Sequence, residues 1–342
     1  MQRRIGRALG LLAVLCTVSG GASAQLQGGA NWDNSARDFG GSIIGGSSGG
    51  STGSSLPGGS AAARNSSLDT LNKILSASQL PAFDRSLYLS IRAFHLTRLG
   101  RDKDSEKDIV EMVKVLPSGW QIVLSTTQSD LAGGGDRAAA LKVLDYGLAR
   151  KPNDAWLVVG QAQVYMQIGD YARALSVLDQ SITGNGPADK RLVQFYRGHA
   201  NFNLGNFQQA ASDFEASLEG RTTLKSRLPG ELWRYAANVP GKQDARSILN
   251  RSIGNENLYE WPGPIAKFLL GKMTAGELEV AAESDPNAKR VNGKCPASFF
   301  AGMDAQRSGN KQRAREQLQL AQARCPTTSE LNWAASTQLK RL

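Results

Sequence analysis

Histidine is nearly missing from this 342-residue chain, which has two. Neither His95 nor His199 stands in a Cys-His, Ser-His or metal-spaced cluster, so nucleophilic catalysis and a histidine metal centre are not expected. Cysteine is almost as scarce, at three. Two thiols without other ligands make a poor zinc site. β-branched alternation is nearly absent, which argues against a sheet. No basic run interleaved with aromatics occurs, so nucleic acid is not an expected partner despite a formal charge of +10. "GNGP" and "AGGGD" have no strand before them and read as turns between helices, not phosphate loops. Asp102, Asp104, Glu106 and Asp108 form a charged surface run, not a convergent cleft. Neither an enzyme, nor a cofactor, nor a bound metal is expected.

What is present begins with a leader. Arg3, Arg4 and Arg7 precede "ALGLLAVLCTV", an apolar stretch short of the roughly 20 residues that span a bilayer. It ends in Ala22-Ser23-Ala24, a small-x-small cleavage pattern. Residues 1–24 therefore read as a signal peptide, and the mature chain as periplasmic or secreted. Cys16 lies inside the apolar stretch behind a bulky Leu15, so lipid anchoring there is not expected. No later stretch is long and apolar enough for a membrane span. Residues 25–66 are dominated by Gly and Ser and carry too little apolar mass to offset the entropy of ordering, which makes them a tether. The Gly46-x-Ser48-x-Gly50 match inside it is noise, since a nucleophile elbow needs a strand-to-helix turn.

From Ser67 apolar residues recur at three- and four-residue intervals, the mark of helices. Turn glycines at Gly100, Gly135, Gly169 and Gly205 repeat every 34 to 36 residues, and Gly309 marks a later copy. Small residues recur in phase: Ala93, Ala162, Gly198 and Gly302 in first helices, and Ala140, Ala174, Ala210 and Ala314 in second ones. Leu144, Leu178, Phe214 and Leu318 follow the latter by four residues, and Pro117, Pro152 and Pro326 close second helices. Ser105 departs from the pattern at a small position. Two antiparallel helices pack closely only where the facing side chains are small, and glycine supplies the positive φ of the turn. The pattern resembles the tetratricopeptide repeat. The fold expected is all-α, a right-handed superhelical solenoid of antiparallel helix pairs, with the regular array over residues 67–220.

Over residues 221–293 the phase breaks. "ELWRYAANVPGKQDARSIL" reads as a degenerate hairpin. In "EWPGPIAKFLLGKMTAGEL", Pro262 and Gly263 make a turn and Pro264 opens a short helix. Gly271 ends that helix, and Thr274 with Glu277 forms a capping box for the next. A last hairpin with a tail occupies residues 294–342. Cys295 starts its first helix and Cys325 ends its second, so both lie at the end opposite the Gly309 turn. An even cysteine pair in an oxidising compartment is expected to form a disulfide, the alternative being two buried thiols.

Partners of such arrays dock on the concave side, lined by first helices. By repeat phase the inward positions include Phe94, Arg98, Ser129, Trp156, Gln163, Phe195, His199 and Asn203. Val159 and Phe195 stand where a carboxylate clamp needs Lys, and Gln163 and His199 where it needs Asn, so no such clamp is expected. Aromatics beside amide and basic groups suit an extended peptide or a partner helix. The alternative is that these aromatics pack between neighbouring repeats.

From Leu192 onward a closer likeness emerges. "VQFYRGHANFNLGNFQQAASDF", "LWRYAA", "KQDARSIL", "EWPGPIAKFLLGKMT" and "ASFFAGMDAQRSGNKQRAREQLQLA" occur in an order that resembles the NlpI-type repeat proteins of bacterial envelopes. The resemblance implies a non-enzymatic adaptor that docks peptidoglycan hydrolases and a C-terminal-processing protease, often as a homodimer. That family is lipid-anchored, and the leader here lacks the matching lipobox. A scaffold in a polysaccharide or protein secretion machine is the competing expectation.

Overall fold

The computed structural model describes residues 61–76, 79–182 and 187–342; the signal peptide, Cys16 and nearly all of the tether lie outside the described residues. Among the described residues there are seventeen helices and no strand. They fall into two compact units that divide between Tyr165 and Met166, inside one helix of the regular array.

The first unit holds α1 (Ala61–Leu75), α2 (Ala82–Arg98), α3 (Asp102–Val115), α4 (Trp120–Gly133), α5 (Arg137–Arg150) and α6 (Ala155–Gln167) as far as Tyr165. α2 pairs with α3 and α4 with α5, the hairpins that the glycine spacing predicts. Leu89, Ile109, Met112, Leu124, Val143, Leu144 and Leu157 are fully covered and form one apolar core.

The second unit continues with α7 (Tyr171–Ser181), α8 (Pro187–Leu204), α9 (Phe207–Ala216), α10 (Leu224–Asn238) and α11 (Ala245–Ile253). Next come α12 (Gly263–Leu269), α13 (Ala275–Ser284), α14 (Pro286–Arg290), α15 (Lys294–Arg307), α16 (Lys311–Arg324) and α17 (Glu330–Leu339). Its core is aromatic. Trp233 stacks on Phe214 at 5.8 Å between centroids and meets Phe299 at 5.2 Å.

The turn chemistry repeats as the sequence does. Gly100, Gly135, Gly169, Gly205 and Gly309 all take positive φ. After three of them a short polar residue caps the next helix: Asp136, Asp170 and Asn310 each accept from the backbone amide three residues on. Small positions are where helices touch. A Cβ on Gly198 would stand 2.7 Å from Phe214 Cε1, and one on Gly302 2.8 Å from Leu318 Cγ. Ser105 is wholly buried at its small position, and its hydroxyl donates to the Ala93 carbonyl at 3.0 Å. The polar substitution thus costs little, because the buried group is hydrogen-bonded.

The irregular stretch is two short helices, α12 and α13. Gly271 ends the first at φ 75°, and the Thr274/Glu277 capping box opens the second with both of its reciprocal bonds. Two features were not legible in advance. α10 begins at Leu224 and runs through Pro229, with Thr223 as its cap, so the hairpin starts seven residues before Glu231. A further short helix, α14, is set by Asp285, whose carboxylate accepts from the amides of Asn287 and Ala288.

Candidate functional site

The inward positions of the first unit come from α2, α4 and α6. Phe94 is buried edge-on to His95, at 5.7 Å between centroids. Arg98, one turn on, lies over the Phe94 ring at 5.5 Å and donates to Asp136 Oδ2 at 2.6 Å. Asp136 also caps α5, so one carboxylate ties the end of α2 to the start of the next hairpin. The Ser129 hydroxyl is buried and donates to Gln163 Oε1 at 3.1 Å, joining α4 to α6. Arg98, Trp156 and Gln163 remain half-buried, whereas Phe94 and Ser129 are covered. Burial, with the Arg98 charge adding to it, pulls the His95 imidazole down to about 4, so it is neutral at ordinary pH.

In the second unit the three α8 positions part company. Phe195 and His199 pack between helices. The His199 ring stands 4.6 Å from Phe195, 5.1 Å from Phe214 and 4.3 Å from Trp233 by centroids, all edge-to-face. It has no exposed surface, and neither ring nitrogen has a hydrogen-bond partner. Burial lowers its pKa to about 3. The packing alternative therefore describes these two residues, whose burial leaves them no open groove to line. Asn203 is buried for another reason: its side-chain oxygen accepts from Thr337 at 2.9 Å and its backbone carbonyl from Arg341 at 2.5 Å.

Sequence reasoning missed the main polar clusters. The Tyr235 hydroxyl donates to Asp304 Oδ1 at 2.6 Å, and Arg307 Nε donates to that same oxygen at 2.8 Å. Arg246 reaches Asp304 at 3.4 Å and the Leu269 carbonyl at 2.9 Å, so the cluster binds α10, α11, α12 and α15 together. Burial, then the hydrogen bond to Asp304, pushes the Tyr235 hydroxyl upward, which keeps it a donor. A second motif recurs at constant spacing: Arg92 pairs with Asp108 at 2.6 Å, and Arg197 with Asp213 at 2.5 Å. The arginine in each pair stands just before a small first-helix position, Ala93 or Gly198, and that phase was the one signal for it.

Cys295 and Cys325 lie at disulfide distance, 2.12 Å between sulfurs, and join the start of α15 to the end of α16. Among the described residues no cluster of three His, Cys, Asp or Glu could hold a metal, and no helix is long and apolar enough to cross a membrane. Two surface depressions, about 210 Å³ beside Arg92 and Asp108 and about 270 Å³ beside Ala297 and Leu320, are smaller than the ~300–1,000 Å³ of typical small-molecule sites.

Family matches agree with the repeat architecture. Residues 131–183 and residues 159–223 each match a tetratricopeptide repeat family, windows that take in α5 to α9. No curated protein matches the chain. A tetratricopeptide repeat protein from Parabacteroides merdae ATCC 43184, known from its crystal structure, is similar at 16% identity with a TM-score of 0.37, over 74% of this chain and 99% of that one.

Proposed function

We propose that this chain is a non-enzymatic adaptor of the bacterial periplasm, which binds polypeptides along its first helices and brings a C-terminal-processing protease or peptidoglycan hydrolases to their substrates. The matched run of helix pairs carries the reading. Repeats of this kind are interaction surfaces whose first helices present side chains to a partner. Arg98, Trp156 and Gln163 supply a cation, an aromatic and an amide with surface still open to water. The leader and a cysteine pair at disulfide distance support an oxidising compartment. The ordered likeness from Leu192 onward supports the choice of partners.

The test is crosslinking in living cells with the full chain, followed by mass spectrometry. Crosslinks from first-helix positions to a periplasmic protease or murein hydrolase are expected. Crosslinks confined to export or outer-membrane assembly components would overturn the choice of partner and favour the secretion scaffold.

A further inference from the structure

The last helix of the second unit, α17, packs on α8. Asn203, inward by repeat phase, is met from within the chain by Thr337 of α17 and by Arg341 just beyond it. The Arg341 guanidinium also lies 5.4 Å from the Phe207 ring centroid. It sits so near Gly205 that a Cβ there would be 3.4 Å from Nη2. This places a cation at the carbonyl end of α8, the favourable end of that helix dipole.

One observation shows that the fit is imperfect. Gln338 is wholly buried on α17, yet neither atom of its amide finds a partner. Unpaired buried polar groups carry a desolvation penalty that a better-matched occupant avoids. The base of α17 is held differently. Asn332 donates to the carbonyls of Gln322 and Cys325 at 2.9 and 3.1 Å, and Trp333 Nε1 to that of Thr327 at 2.7 Å. The helix is thus anchored to α16 at one end and latched to α8 at the other.

We propose that α17 is an autoinhibitory contact, a helix held in cis on the Asn203 end of α8 that a partner helix of like chemistry displaces, beginning at the Thr337–Arg341 latch. Such a partner presents small apolar residues, as Ala334 and Ala335 do, with a hydroxyl and a trailing cation in register with Asn203. The proposal rests on the adaptor reading only in treating the Asn203 end of α8 as a docking face, and its test needs no cellular partner.

The probe is a fluorescently labelled peptide of residues 327–342, added to the full chain and followed by anisotropy. Occupancy in cis lowers the peptide's affinity in proportion to the fraction of open molecules. Arg341→Ala, which weakens the latch, is expected to tighten peptide binding by at least ~10-fold over wild type, and Arg341→Lys by less. Equal binding to wild type and Arg341→Ala, or none to either, overturns the proposal. Hydrogen exchange on the unaltered chain gives a second, variant-free test. Amides of α17 should exchange faster than those of α8 and α16, and equal protection in the three helices would count against the latch. A failed search for envelope partners would leave both measurements standing.

Discussion

Gly198 and Phe214 meet so closely that the glycine has no room for a side chain: an added Cβ would lie 2.7 to 3.0 Å from three atoms of the ring. Phe214 has no free volume to move into, since it is fully buried against Trp233 and His199. Gly198→Ala is therefore expected to destabilise the second unit by about 1–3 kcal/mol through overpacking, although alanine is the better helix former. Urea denaturation followed by circular dichroism measures it. An unchanged midpoint would mean that the hairpin is looser than this contact implies.

The two histidines set an acid limit. Both are held neutral, His199 down to about 3 and His95 to about 4, while in the unfolded chain each ionises near 6.5. Because the folded values are depressed, the stability is fully present above pH 6.5 and is lost as pH falls, until the folded ring itself takes a proton. Each histidine steepens the decline by on the order of 1.4 kcal/mol per pH unit across its window. His199→Phe is expected to remove its share, so the gap in melting temperature between pH 7 and pH 5 should narrow. A gap as wide as in wild type would show that His199 is not the responsible group.

For the cysteine pair the expectation is covalent. Closing the chain between Cys295 and Cys325, a sequence separation of 30, is worth on the order of 3.5 kcal/mol in the chain-entropy treatment. Reductant or Cys325→Ser should lower the melting temperature of the second unit. Intact mass after alkylation, with and without reductant, shows directly whether the thiols are joined.

Trp156 tests the first-unit surface. Trp156→Ala should leave helicity intact yet weaken crosslinking to the partner by about tenfold, as aromatic anchors do at interfaces. If a matched substitution at Thr126, exposed on α4, weakens it as much, Trp156 has no special part.

Much of this architecture was legible because close packing leaves a periodic trace. Gly198 and Gly302 are small because Phe214 and Leu318 press on them, and both members of each pair fall in repeat phase. The Thr274/Glu277 box was readable because a capping box is local, its partners three residues apart. The site was less legible. Phase names the side of α8 on which Phe195, His199 and Asn203 stand, but not what covers that side. Trp233 lies in the next, degenerate hairpin, and Thr337 is 134 residues from Asn203. No periodicity links such positions. α10 runs through Pro229, where tertiary packing holds a helix across a residue that local propensity would use to end one.

The cysteine pair has a topological consequence. With the sulfurs joined, α15, the Gly309 turn and α16 form one closed covalent ring, from which the rest of the chain leaves on either side. A protease that nicks the exposed turn at Gly309 or Asn310 opens the ring without separating the molecule. Both pieces migrate together on a non-reducing gel and part only when thiol is added. In a compartment where this chain is proposed to sit beside proteases, one cut at the most exposed end of the last hairpin need not release α17.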